Sequence, residues 1–419
     1  MRNIGELRKR IIPLLDITRE VSDGELYAAI DRVLTEESRS GYFSLSDRLY
    51  CRKALYDSFR RLDILSEALE EEGVTEVMVN GYDRIYIEKN GRIEPFGKKF
   101  SSPEKLDDVI QQIVARVNRR VNESTPMVDA RLADGSRVNV VLPPAAIDGP
   151  AVTIRKFNDS PPDMGQLIAW GSLDRATAGF LETLVRAKYN IFISGGTGSG
   201  KTTFLGALAG YIGPDERVIT VEDSAELRLL HVKNIVRLEA RAASTEGKNE
   251  ITIRDLIRNS LRMRPDRLIV GEIRGPEALD MLTAMNTGHD GSLSTGHANS
   301  APDAVERIAN MVLSGGTGLP LAAVYGQIAS AIDVIVHLGR IRDGSRKVLS
   351  VNEVDGIGPD GRVKLSPLIV FTEEGEKNGR IEGCFRRCGK IRREEKLRAA
   401  GLLQDLRENE RAADPENGG

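Results

Sequence analysis

Asn190-Ile191-Phe192-Ile193-Ser194-Gly195-Gly196-Thr197-Gly198-Ser199-Gly200-Lys201-Thr202-Thr203-Phe204-Leu205-Gly206-Ala207-Leu208 decides how this chain folds. An apolar run reads as a strand, the next residues satisfy G-x-x-x-x-G-K-[ST], and helix-compatible residues follow. The glycines let successive backbone N–H groups converge on one anion, at the positive start of the following helix. Gly195, Gly196, Thr197, Gly198, Ser199, Gly200, Lys201, Thr202 and Thr203 are therefore the expected nucleotide contacts. Lys201 is expected to reach the β- and γ-phosphates of ATP, and Thr202 to offer its hydroxyl to Mg²⁺. The plain alternative, a glycine-rich turn with a surface lysine, does not account for the flanking strand and helix.

The chain has 419 residues, too many for one ordinary core, so two or three domains are expected. Its 59 basic and 62 acidic residues nearly cancel, which demands neither nucleic acid nor an acidic membrane surface. Cys51, Cys384 and Cys388 are too few for a disulfide framework and read as free thiols of a reducing cytoplasm. No apolar signal core follows the N-terminus and no apolar run approaches a membrane span, so membrane association is expected only through a partner.

Outward from the loop, short apolar runs alternate with helical patterns, the signature of a doubly wound, mostly parallel α/β sheet. Strands are expected at Ile191–Ser194, Val218–Val221, Arg267–Val270, Gly291–Thr295 and Val334–Leu338. This domain is expected over 167–372. Before it, residues 158–166 read as a polar, proline-rich linker. Residues 61–157 read as an α+β domain, with β-like runs at 74–81 and 84–88, an amphipathic helix at 104–121, a hairpin turning at Asp134-Gly135, and a strand at 152–155. Residues 1–60 have helical spacing. From 373 the chain turns strongly charged, and 373–419 are expected as a helical tail with a disordered end.

In open α/β sheets ligands sit beyond the carboxyl ends of the strands. One such end carries Glu222, Asp223 and Glu226, carboxylates able to hold Mg²⁺ or take a proton from water. The alternative there is a helix start with Glu226 completing a capping box. A second end reads Val270-Gly271-Glu272-Ile273-Arg274. Gly271 stands where phosphate-loop enzymes commonly place a metal-holding aspartate, which leaves Glu272 for the metal or the attacking water. Gly271 itself is expected to permit close approach to the phosphates; the alternative for Glu272 is a simple pair with Arg274. A third end holds His289 and His297, two of the four histidines. Their spacing is poor for a metal, and His297 is the better candidate for sensing phosphate or contacting another subunit.

These elements, in this order, resemble the secretion ATPases of type II and type IV secretion, type IV pili and archaella. Gly271-Glu272 matches that family's aspartate-free Walker B, Glu222-Asp223-Ser224-Ala225-Glu226-Leu227 its aspartate box, and Thr287-Gly288-His289 through Gly296-His297-Ala298-Asn299-Ser300 its histidine box. Val74–Gly81, Arg131–Asn139 and Leu261–Asp266 are similar to the tight-adherence pilus ATPases of the CpaF and TadA type. The resemblance implies a RecA-like motor behind a PAS-like α+β domain, and a homohexamer at the cytoplasmic face of an inner-membrane pilus or secretion platform protein. It implies ATP with Mg²⁺, held in part by Thr202, Asp223 and Glu272, and no stable nucleic acid partner. It further implies that Arg131, Arg137 and Arg155 reach the γ-phosphate as arginine fingers do, while Glu222, Glu272 and His297 act in hydrolysis.

Two other readings share the loop. A conjugative type IV secretion ATPase is a near relative of the first. A nucleic-acid translocase would want a basic, aromatic-lined channel, and the 5% aromatic content of this net-acidic chain speaks against it. A scaffold that uses nucleotide only as a brace would not need Lys201, Glu222, Glu272 and His297 together.

Overall fold

The computed structural model describes residues 3–16, 18–19, 21–39, 41–116, 120–157, 161–241, 249–316 and 318–407. The chain divides into two compact units, Met1–Asp159 and Ser160–Gly419.

In the first unit, the helices Ile4–Ile11, Asp23–Arg39 and Leu45–Arg60 bury Leu7, Ile11, Leu26, Ile30, Leu34 and Leu55 among themselves. The α+β part follows as a six-stranded sheet. Its strands are β1 (Val74–Asn80), β2 (Ile85–Lys89), β3 (Arg92–Pro95), β4 (Met127–Arg131), β5 (Arg137–Val141) and β6 (Ala151–Arg155). They are arranged β3-β2-β1-β6-β5-β4, every neighbouring pair antiparallel. Residues alternate between faces along a strand, so Val77, Val79, Val138, Val140, Val152 and Ile154 share the buried face. Leu106, Val109, Ile110 and Ile113 of the helix Pro103–Arg116 join the same core. That helix is shorter than the expected 104–121: residues 117–119 lie outside the described residues, and 120–121 are not helical. The expected hairpin turns at Gly135, whose φ of +90° suits a residue without a Cβ.

The second unit is built on a nine-stranded sheet. Its strands are β7 (Ile191–Gly195), β8 (Arg217–Glu222), β9 (Asn234–Glu239), β10 (Arg267–Val270), β11 (Leu293–His297), β12 (Val334–Arg340), β13 (Arg346–Ile357), β14 (Val363–Lys377) and β15 (Arg380–Arg387). Their order is β15-β14-β13-β12-β7-β11-β10-β8-β9. From β12 to β9 all pairs are parallel, and from β12 to β15 all are antiparallel. Helices cover both faces of the parallel part, and β7 is buried along its whole length. At the foot of β7, Asn190 anchors the layer. Its side chain donates to Ala331 O (2.8 Å) and Met285 O (3.3 Å), and accepts from the Ser292 amide (3.0 Å).

Two expectations need correction. Residues 164–166 are not linker: Asp163 caps the helix Met164–Ala169, with Gln166 completing a capping box. Residues 158–160 of the expected linker lie outside the described residues. The charged stretch from 373 is not a helical tail either, because 373–377 finish β14 and 380–387 form β15. Its charges suit an outer antiparallel ribbon with exposed positions, where Arg342 pairs with Glu373 and Glu376. After β15, Glu353 accepts the amides of Arg392 and Arg393, which fixes the helix Glu395–Ala399 to the sheet. Residues 408–419 lie outside the described residues.

Candidate nucleotide-binding site

The phosphate loop leaves β7 at Gly195, where no side chain fits: a Cβ there would lie 2.5 Å from Ser199 Oγ and 2.6 Å from Leu338 O. Gly198 and Gly200 take φ of +73° and +91°, the left-handed conformation that turns successive amides toward one point. The helix Lys201–Ala209 starts immediately after, and no side chain caps it. Its first N–H groups thus face the loop without a competing side-chain acceptor, the arrangement an anion needs. Gly196, Thr197 and Gly198 are exposed, Ser199 is buried, and Thr202 and Thr203 are half-buried at the helix start. These residues fit a nucleotide polyphosphate.

Lys201 is held back in the loop. Its Nζ donates to Gly196 O (3.1 Å) and Gly195 O (3.3 Å), and lies 3.2 Å from His297 Nδ1. Burial lowers its pKa, opposed by the charge of Glu272. His297 is the last residue of β11, level with Gly195 of β7, so the sheet register brings it to the loop. Its Nε2 is 2.9 Å from Glu272 Oε1, in ion-pair range but off the hydrogen-bonding direction of the ring. Burial and the Lys201 charge push the His297 pKa down. A neutral ring with its proton on Nε2 suits both neighbours, accepting from Lys201 and facing the carboxylate. Glu272 Oε2 accepts from Arg274 Nε (2.8 Å) and Nη2 (2.6 Å). Lys201, His297, Glu272 and Arg274 therefore form one connected chain, and the pair with Arg274 is real but only one of its links. Asp223 is exposed, 3.9 Å from Arg274 Nη1.

Glu222 ends β8 and is 3% exposed. Its Oε2 accepts the amides of Glu226 (2.8 Å) and Leu227 (2.9 Å), so the carboxylate fixes the loop after the strand. No helix begins at Asp223, which removes the capping-box alternative. Oε1 of Glu222 is buried without a hydrogen-bond partner, and burial raises the pKa of this carboxyl. Gly271 acquires a different explanation from the expected one. A Cβ at Gly271 would sit 2.9 Å from Glu222 Cγ and 3.5 Å from its Cβ, so the glycine makes room for Glu222.

The two histidines separate. His289 precedes β11 and His297 ends it, so they lie at opposite ends of the strand, and only His297 joins the site. Two residues at the loop were not singled out in the sequence. His337, on β12, has Nδ1 3.0 Å from Ser194 Oγ, and burial lowers its pKa. It was hidden in an ordinary apolar strand, and only the pairing of β12 with β7 reveals it. Arg346, at the start of β13, donates from Nε to Gly198 O at 2.9 Å.

In the first unit, Arg131, Arg137 and Arg155 occupy one row across β4, β5 and β6, which Glu76 of β1 continues. Residues level in neighbouring strands point to the same side, so this row lies on the face opposite the buried valines. Arg131 Nε donates to Gly135 O (3.0 Å), and Arg155 Nε is 3.8 Å from Glu76 Oε1. Among the described residues no three histidine, cysteine or acidic side chains gather as a metal site. Mg²⁺ needs none, since it is usually held by one or two carboxylates with substrate phosphates and water. Thr202 and Glu272, the latter tied to Lys201 through His297, fit such a role better than exposed Asp223. No helix of the described residues is long and apolar enough to cross a membrane.

Residues 61–411 match the sequence model of the family described as Type II/IV secretion system protein. A Mycobacterium tuberculosis protein carrying a provisional conjugal-transfer name is 36% identical over 294 residues, covering 69% of this chain and 83% of its own. The type IV secretion system protein PtlH of Bordetella pertussis is 34% identical over 327 residues, covering 71% and 95%. The fold is similar to that of the pilus retraction motor PilT with bound ADP, with a TM-score of 0.51 and 19% identity over 84% of this chain and 89% of that one.

Proposed function

The chain belongs to the type II/IV secretion system protein family, and from that premise we propose that it hydrolyses ATP to drive a secretion or pilus-assembly machine. The observation that carries this reading is the connected chain of Lys201, His297, Glu272 and Arg274 beside the phosphate loop. In this reading Lys201 leaves the carbonyls of Gly195 and Gly196 for the β- and γ-phosphates, and the amides of Gly198–Thr203 cradle them. Thr202 and Glu272 would hold Mg²⁺, with Asp223 through water, and a bound ion would supply neutralising charge to the phosphates. Glu222 takes the proton of the attacking water as its oxygen bonds to the γ-phosphorus and the bond to ADP breaks. Its raised pKa and unpartnered Oε1 suit a base, whereas Glu272 has Oε2 held by Arg274 and Oε1 2.9 Å from His297 Nε2. His297 reports between Lys201 and Glu272. The row of Arg131, Arg137 and Arg155 supplies the positive charge that the γ-phosphate needs in the transition state.

The proposed assembly is a homohexamer at the cytoplasmic face of the inner membrane, acting on a membrane platform protein. The tight-adherence pilus is the reading suggested by Val74–Gly81, Arg131–Asn139 and Leu261–Asp266. Conjugal transfer is the second reading, favoured by the names of the relatives. ATP turnover of the full chain tests the activity. Lys201→Ala, Glu222→Gln and Glu272→Gln should each lower turnover at least about 100-fold with the fold retained. Undiminished turnover in all three sinks the assignment. A membrane pull-down with Glu272→Gln separates the machines: prepilins indicate a pilus, conjugation proteins the alternative.

A further inference from the structure

Beyond the residues already given roles, one cation stands against the phosphate loop from outside. Arg346 opens β13, just after the turn that joins it to β12. Its Nε donates to Gly198 O at 2.9 Å. Its stem passes Gly200 closely enough that a Cβ on that glycine would lie 3.2 Å from Arg346 Cδ. Gly198 and Gly200 are the two left-handed residues that shape the cradle, so one side chain touches both of its turning points. Arg346 is exposed, and among the described residues it pairs with no carboxylate. Its neighbour Arg342, by contrast, is matched by Glu373 and Glu376. A guanidinium offers five donors, and among the described residues only one of them makes a hydrogen bond.

The next two residues of β13 hold a second place. Lys347 Nζ donates to Gly171 O at 2.9 Å, and the Val348 amide donates to Ser172 O at 2.9 Å. Gly171 and Ser172 follow the first helix of this unit, Met164–Ala169, and its C-cap Trp170. Three consecutive residues of one strand thus join the phosphate loop to the segment around Trp170. Trp170 is the only tryptophan of the chain and is 60% exposed.

We infer that Arg346 is a positioning residue for the nucleotide: it sets the phosphate loop through the Gly198 carbonyl, and the start of β13 passes the loop's state to Gly171 and Trp170. The inference rests on the ATP-binding reading above. Binding of the phosphates tightens the amides of residues 198–201 around the anion. The carbonyl of Gly198 turns with them, and Arg346 follows because its bond to that carbonyl is charge-assisted and directional. The unmatched charge also favours an anion arriving at the loop.

The test uses the full chain, with steady-state ATP turnover and Trp170 fluorescence during titration with MgATP. Arg346→Ala should raise KM about tenfold, the worth of one charge-assisted hydrogen bond, with kcat changed less than about threefold. Arg346→Lys should recover part of the KM because the charge remains. Lys347→Met should keep the wild-type KM but lose the Trp170 response to MgATP, since it cuts only the link to Gly171. Unchanged KM and fluorescence in Arg346→Ala would overturn the inference, as would a fall in kcat at constant KM. A Trp170 response that survives Lys347→Met would remove the relay. Thermal unfolding of each variant separates misfolding from these outcomes, and Arg346→Lys carries the test if the alanine variant does not fold. If the wild-type chain neither binds nor hydrolyses ATP while Lys201→Ala behaves identically, the proposed function itself fails.

Discussion

Replacing Gly271 by alanine tests the account of the Gly-Glu pair most directly. The new Cβ would stand 2.9 Å from Glu222 Cγ, a contact that real side chains do not tolerate. Glu222 cannot swing away cheaply, because Oε2 holds the amides of Glu226 and Leu227 and the residue is 3% exposed. Overpacking of a filled site costs about 1–3 kcal/mol, and moving the carboxylate weakens two bonds of a charged acceptor, each ~1.5–3 kcal/mol when lost outright. Partial loss of both gives about 3 kcal/mol. For a unit of this size that lowers the melting temperature by about 10 °C. The assay is thermal unfolding of the full chain, following the transition of the second unit. Gly271→Ala should melt early, and Glu222→Ala should melt early for want of an acceptor. The double variant should be less destabilised than the sum by at least about 1 kcal/mol, since the clash disappears with Glu222. Strict additivity would refute the packing account. So would an unshifted melting temperature with ATP turnover lost, because the glycine would then serve the phosphates.

Other consequences can be measured with the same protein. Arg137→Ala should cut turnover at least about 100-fold while leaving nucleotide affinity within about threefold, as removal of a transition-state cation does; loss of binding alone contradicts the role. His297 has a folded pKa below its ordinary 6.5. Its neutral form therefore contributes stability in full above about pH 6.5, and that contribution is lost as pH falls through the lower folded value. Between pH 7 and 5, the melting temperature of the wild type should fall more steeply than that of His297→Gln, and parallel curves would deny the effect. Gly296→Ala would bring a Cβ within 2.7 Å of Phe192 Cζ, between β11 and β7. It should lower the melting temperature by several degrees, about 1–3 kcal/mol, and a neutral result would contradict the packing described.

The parallel half of the nine-stranded sheet was legible in the sequence because its strands are apolar runs closed by glycine-rich or acidic punctuation, and β7, β8 and β10 fall within a residue or two of expectation. β9 was missed because it is an edge strand, where Ile235, Val236 and Leu238 are interspersed with Asn234, Arg237 and Glu239. β13, β14 and β15 were missed for a related reason. β13 and the start of β14 lay inside the expected domain without an apolar run to mark them, and the charged exposed positions of the rest of β14 and of β15 read, by composition alone, as a tail. At the third strand end the error was small but consequential. Expecting the strand from Gly291 put both histidines at one strand end, with His297 the better candidate. Gly291 is instead a turn residue with φ of +81°, lying against the buried guanidinium of Arg267, and the strand starts at Leu293. Which carboxylate holds a loop and which joins Lys201 was not readable at all. That depends on side-chain direction at a strand end, which the motif spelling does not contain.

The position of β7 sets a temporal order on the molecule. Asn190, at its foot, bonds to Ser292 and to Asp333, 102 and 143 residues further along, and β7 pairs only with β11 and β12. During synthesis the phosphate loop is made early but has no strand beside it until β11 is complete at His297, and none on its other side until β12 follows. At about 5–20 residues per second, the hundred or so residues up to β11 leave this fully buried strand unpaired for about 5–20 seconds. Contacts this distant in sequence also slow folding of the completed chain, because the closure entropy precedes any reward from pairing. The nucleotide site is therefore among the last parts to form. Any ATP that binds it acts on the finished sheet and stabilises the whole unit, not the loop alone.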